Sequence, residues 1–216
     1  MNGNIKISLV VILLLTAALQ LSAQIEVIST AMPDPEAFRE HMTEANTAIS
    51  TIQSEFIQVK HLDFLEEEVK SSGKFYFKKE NHLRWEYGSP FFYLIIFSSD
   101  SIFIQDQKNT RKYDMNSTRM FTEINNIMLG LVNGDILKSD DFSIEYLEQQ
   151  DIYILELTPI NTDMKEFLSK VKLHLNRKNY TAEEIYMIEK SGDYTYIRFF
   201  QKKINEDIPD HIFDLP

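Results

Sequence analysis

Residues 73–90 read GKFYFKKENHLRWEYGSP. Phe75 and Phe77 share one parity, as do Leu83, Trp85 and Tyr87, and lysine and arginine fill positions between them. Such alternation marks β-strands with one buried face, because successive side chains point to opposite sides of a sheet. The polar stretch Glu80-Asn81-His82 separates the two runs, which predicts an antiparallel hairpin. Its apolar face carries two or three aromatic rings per strand. That is more ring surface than a small core needs, so the hairpin also asks what the face covers.

Outward from the hairpin the period stays at two. SEFIQVK opens an earlier strand, and HLDFLEEEV reads either as its continuation or as a connection with an acidic tip. FFYLIIFSSD and SIFIQD follow, joined through Ser98 to Ser101, and RKYDM is a shorter candidate. FSIEYLEQQDIYILELTP, VKLHLNRKNYTAEEIYMIEKSGDYTYIRFFQKK and HIFDLP add further strands in the second half. There Phe142, Ile144 and Tyr146 alternate with Ser143 and Glu145, as Val171, Leu173 and Leu175 do with Lys172, His174 and Asn176. Clean alternation indicates antiparallel sheet with one wet face. About ten strands with short connections require a sheet that curls, splits or forms a sandwich.

Two helical stripes interrupt the strands. Phe38, Met42, Ala45, Ile49 and Ile52 recur at spacings of four and three, with Asp34 as N-cap and Pro35 at the first helical position. Phe121, Ile124, Ile127, Met128 and Leu131 form the second stripe, with Gly130 near its end and Gly134 beyond it. DMKEFLSK is a shorter helical candidate. The expected architecture is mainly β within the α+β class: a single curled antiparallel sheet, an N-terminal helix packed on it, and a short lid helix over its covered face.

Composition narrows the function. Residues 1–23 hold one lysine, an apolar run from Leu9 to Leu15 and the small residues Ser22 and Ala23, the pattern of a signal peptide cleaved near Ala23. The remaining chain, 24–216, has a length that favours one domain. It has no cysteine, which removes disulfides, thiol nucleophiles and a lipid-modified N-terminus. A formal net charge of -11 argues against nucleic acid as a partner.

Catalytic signatures are missing too. His41, His61, His82, His174 and His211 show no metal-ligand spacing, and Glu66, Glu67 and Glu68 form a run expected to be solvated. No nucleophile elbow, phosphate loop or dinucleotide fingerprint is present. The reading is therefore not an enzyme, with no catalytic residue, metal or cofactor. Fifteen phenylalanines and ten tyrosines, most of them in strands, point instead to apolar binding. Burying an acyl chain yields about 0.8 kcal/mol per methylene without any directed bond. A generic exported sheet with a dry core, acting as a structural or adaptor domain, fits the same alternation, as does a carrier of another envelope lipid.

The ordered set SEFIQ, GKFYFKKENHLRWEY, SIFIQD, IMLGLVNGD, ILELTP, KVKLHLNR, IEKSGDYTYIRF and IFDLP resembles the periplasmic outer-membrane lipoprotein carrier family, LolA, over nearly the whole of 24–216. Phe56 and Gln58 stand at the family's early F-x-Q signature, Gly73 and Phe75 at the next strand, and Trp85 at its aromatic position after the hairpin. The resemblance implies an unclosed β-barrel of about eleven strands with a helical lid, and triacylated lipoproteins as cargo. It also implies an inner-membrane ABC-type release complex and an outer-membrane acceptor lipoprotein as partners, in the periplasm, with the chain working as a monomer. On this reading the acyl chains lie against Phe75, Phe77, Leu83, Trp85, Leu94, Ile96 and Ile104 on the sheet. Phe121, Ile124, Ile127, Met128 and Leu131 face them from the lid.

Lys79 falls on a basic position, often arginine, which in the family hydrogen-bonds lid backbone and holds the empty cavity closed. Lysine keeps the charge and loses the planar fork. Glu80 stands where proline often follows, and the chain stops at Pro216 without the C-terminal extension of some members.

Overall fold

The computed structural model describes residues 29–65, 67–80, 82–98, 101–114, 127–132, 134–138, 140–162 and 164–214. The expected signal peptide and the lid residues Phe121 and Ile124 lie outside these. Among the described residues no helix is long and apolar enough to cross a membrane.

A short strand β1 (Thr30–Ala31) precedes helix α1 (Pro35–Thr47). The first group of strands is β2 (Thr51–Leu62), β3 (Glu67–Lys78), β4 (His82–Ser89), β5 (Tyr93–Phe97), β6 (Ser101–Gln105) and β7 (Thr110–Asp114). A helical turn at 127–132, α2, separates it from the second group. That group is β8 (Phe142–Glu148), β9 (Ile152–Pro159), β10 (Leu168–Asn176), β11 (Ala182–Glu189) and β12 (Tyr194–Ile204). All twelve strands form one sheet in the order β1-β8-β9-β10-β11-β12-β2-β3-β4-β5-β6-β7, every neighbour antiparallel. Each group is a meander, and the pairing of β12 with β2 joins them. Because β1 and β7 do not pair, the sheet is not a closed barrel.

The hairpin forms as its alternation predicts. Phe75 pairs with Trp85 and Phe77 with Leu83, all buried. β3 starts earlier than expected, at Glu67, so the acidic run is mostly an exposed strand start after a 3-10 turn at Asp63–Leu65.

α1 begins as the sequence dictates, with the Asp34 carboxylate accepting from the Ala37 amide at 3.0 Å and Pro35 at N1. Its stripe is shorter than predicted. Phe38 and Met42 are buried, but the helix ends at Thr47, so Ile49 lies in the connection and Ile52 in β2. Asn46 is the third buried helix residue.

Two other expectations are corrected. DMKEFLSK makes only a 3-10 turn at Met164–Glu166 before β10 begins at Leu168. HIFDLP is no strand: Asp210–Phe213 is a 3-10 turn. The segment crosses the outer face of β3 and β4, where side chains satisfy its carbonyls. Lys78 Nζ donates to the Ile208 carbonyl at 2.8 Å and Arg84 Nη1 to that of Ile212 at 2.8 Å. With those bonds made, it needs no strand ladder.

The core lies between the inner face of the sheet and the two helices. Phe38 meets Tyr153 edge-on at 4.8 Å, which seats α1 on β9. Asn46 Nδ2 donates to the Leu131 carbonyl at 3.0 Å and Arg39 Nη2 to that of Leu137 at 3.3 Å, which ties α1 to α2 and the turn after it. Each large side chain fully buried here contributes about 1.5–3 kcal/mol.

Candidate functional site

Cross-strand partners share a face, so the register assigns every side chain to one side of the sheet. One inner row runs Ser54, Phe75, Trp85, Ile95, Ile104, and the next runs Ile52, Phe77, Leu83, Phe97, Ile102. A third passes from Phe56 through Gly73 to Tyr87. Gly73 is required there because a Cβ would stand 1.9 Å from the Glu86 carbonyl oxygen and 2.9 Å from the Tyr87 Cα. Over the bare glycine the Phe56 and Tyr87 rings meet edge-on at 5.0 Å.

The surplus rings form one cluster. Trp85 lies 4.8 Å from Phe75, 5.0 Å from Phe56 and 5.9 Å from Phe199 of β12. In this structure these rings pack on one another.

Among the expected wall residues, Phe75, Phe77, Leu83, Trp85 and Ile104 are buried on the inner face. Ile127, Met128 and Leu131 of α2 are buried in the same core. Leu94 and Ile96 are not part of it: they pair with Glu86 and Arg84, whose parity is the outer face. Their place on the wall belongs to Ile95, Phe97 and Ile102. FFYLIIF is apolar at both parities because both faces of β5 are buried, so alternation could not separate them.

Lys79 Nζ donates to the Thr47 carbonyl at 2.5 Å, at the C-terminal end of α1. It fastens α1 to the hairpin, and α2 takes no part in that bond.

The inner face has a closed half and an open half. Under the helices a cavity of only about 40 Å³ remains, between Asn46, Met128, Leu131, Val132, Phe75 and Phe199. It holds a water-sized guest, not an alkyl chain. Among the described residues the Ser54 hydroxyl at this cavity, which is buried, has no hydrogen-bond partner. Lys202 lines it too, its ammonium bound to Thr181 Oγ1 at 2.9 Å, the Ala182 carbonyl at 3.0 Å and Glu183 Oε1 at 2.8 Å. Burial holds the Lys202 pKa below the ordinary lysine value, against the pull of Glu183.

Past Tyr87 the same face opens into a groove of about 640 Å³, within the usual range of ligand sites. Sequence reasoning missed this groove entirely. Exposed Val69 and Phe91 line it beside Tyr93 and Ile95. The Tyr87 hydroxyl donates to Gln58 Oε1 at 3.0 Å. Burial, and less strongly the neighbouring Tyr93, push this hydroxyl up to about 12, so it keeps its proton as a donor.

Among the described residues no group of three or more histidines and carboxylates is placed to hold a metal ion. What the site offers is apolar surface, partly sheltered, with a few hydrogen-bonding groups.

Residues 47–216 match the model of a family described as outer membrane lipoprotein carrier protein LolA. Among curated proteins, none matches the chain significantly in sequence. An uncharacterized conserved protein from Thermus thermophilus shares the fold with a TM-score of 0.52 at 9% identity, over 85% of this chain and 94% of that one. A DUF1329 family protein from Desulfovibrio piger gives 0.46 at 14% identity, over 84% and 98%. A LolA superfamily protein from Nitrosomonas europaea gives 0.44 at 15% identity, over 82% and 97%.

Proposed function

This chain belongs to the outer membrane lipoprotein carrier protein LolA family, and from that membership we propose that it carries lipoproteins across the periplasm by sheltering their acyl chains. In this reading residues 1–23 are removed near Ala23 and 24–216 work as a monomeric carrier. It takes triacylated lipoproteins from an inner-membrane ABC-type release complex and delivers them to an outer-membrane acceptor lipoprotein. No bond is made or broken, and no cofactor takes part.

The observation that carries the proposal is the apolar inner face, filled by the helices at one end and open at the other. With about 40 Å³ beneath the helices, acyl chains enter there only if α1 and α2 separate from the sheet. Each buried methylene then returns about 0.8 kcal/mol, offset by the packing that Met128, Leu131 and Phe75 lose. That competition gives a carrier what it needs: cargo is held while bound, and redocking of the helices favours release.

Native extraction from the periplasm followed by mass spectrometry tests this, with triacylated lipoprotein expected to travel with the protein. A co-purifying lipid without protein would assign the site to another envelope lipid, and a protein that emerges bare would count against any carrier role. Met128→Asp, in the same extraction, is expected to impair cargo binding more than it impairs folding, with stability read from the denaturant midpoint. Equal loss of both would make Met128 a plain core residue.

A further inference from the structure

The motif residue Gln58 has no part in the closed core. It lines the open groove, whose apolar wall is Val69, Phe91, Phe92, Tyr93 and Ile95 and whose lining also includes the charged residues Asp106 and Lys108. Phe91 is 70% exposed and Val69 46%, so apolar surface lies open to a ligand. Tyr87 is braced against Phe56 at 5.0 Å and Tyr93 at 6.2 Å, and its hydroxyl donates to Gln58 Oε1 at 3.0 Å. A phenol on the carbonyl end of the amide leaves the Nε2 end to donate. Among the described residues that amine has no hydrogen-bond partner.

A bare hydrocarbon entering the groove would strip water from this donor and give nothing back. A long alkyl chain that ends in a carbonyl matches both parts of the lining. We propose that the groove is the seat of a fatty-acyl ester or amide, with the alkyl chain along the apolar wall and the carbonyl oxygen accepting from Gln58 Nε2. The proposal rests on the carrier reading and adds a direction to it: the polar linkage of one acyl chain is held at the mouth, outside Tyr87.

Three amphiphiles of matched chain length test the seat on the intact protein, with the single tryptophan, Trp85, as the fluorescence reporter. They are monopalmitoylglycerol, its ether analogue hexadecylglycerol, and N-palmitoylethanolamine. The wild type is expected to bind the better of the two carbonyl compounds about three- to tenfold more tightly than the ether, the range of one hydrogen bond. Whether that compound is the ester or the amide identifies the linkage.

Gln58→Leu should erase the preference, because the carbonyl compound loses its hydrogen bond and the ether no longer has to desolvate the amide. Should that variant fail to fold, Gln58→Glu still accepts from Tyr87 but has no amine to donate, and must show the same loss. Equal binding of all three by the wild type overturns the seat while leaving the carrier reading intact. Binding of none overturns both. A preference that survives Gln58→Glu removes Gln58 from the seat and overturns the proposal.

Discussion

Glu156, on the outer face of β9, accepts from Lys170 Nζ at 2.6 Å and from Lys172 Nζ at 2.7 Å. These two bonds, Lys170 first, hold its carboxyl below the ordinary value of 4.5. A carboxyl with a lowered folded-state pKa stabilises the fold above its unfolded value, and the contribution disappears as pH falls through the folded one. Glu156→Gln is therefore expected to cost about 1 kcal/mol near neutral pH. Denaturant midpoints of the two proteins should converge as the pH is lowered past 4.5. A gap that persists in acid would trace the cost to packing. The same residue shows what sequence could give. Glu156 alternates with Leu155 and Leu157, so its face was legible, but its two lysine partners come from another strand. Phe75 and Trp85 were legible because charged neighbours fixed their parity. Leu94 and Ile96 had no such neighbours, and their face emerged only from the register with β4.

At the scale of elements, the C-terminal end of α1 is held by two polar side chains. Lys79 Nζ takes the Thr47 carbonyl, and Asn205 Nδ2 takes that of Ala48 at 2.9 Å. Asn205 also accepts from the Ser50 amide at 2.7 Å, from a backbone with φ of 60° that asparagine tolerates well. Lys79 is exposed, so Lys79→Met should cost less than about 1 kcal/mol. Asn205→Ala, which loses bonds on both sides of the connection, should cost more. Hydrogen exchange at Ala48 and Ile49 is the direct check: both variants should speed it, Asn205→Ala the more. An unchanged rate in Lys79→Met would mean that its bond does not hold the helix. The start of α1 was legible from Asp34 and Pro35, and its end was not. Ile49 and Ile52 continue the helical spacing, yet the chain turns after Ala48 and carries them into the same core by other routes. Asn46 escaped notice because a buried amide is explained only by its partner, the Leu131 carbonyl.

Over the whole molecule, the twelve-stranded sheet depends on its last strand. β12 pairs with β11 on one side and with β2 on the other, from Tyr194 opposite His61 to Ile204 opposite Ile52. Alternation announced a large antiparallel sheet but was silent on this order, since period two does not say which strand a strand will meet. A chain ending before Tyr194 would keep two meanders with no ladder between them. Calorimetry of the whole chain is expected to give a single cooperative unfolding transition that this truncation loses, and a sharp transition that remained in the truncated chain would refute the dependence. The position of β12 also bears on how the chain can be made and moved. A polypeptide that emerges from a ribosome or threads through a pore N-terminus first exposes β2 long before its partner arrives. Until the final residues follow, the seam in the middle of the sheet stays open. The finished fold is thereby deferred until the last residues of the chain are free to pair.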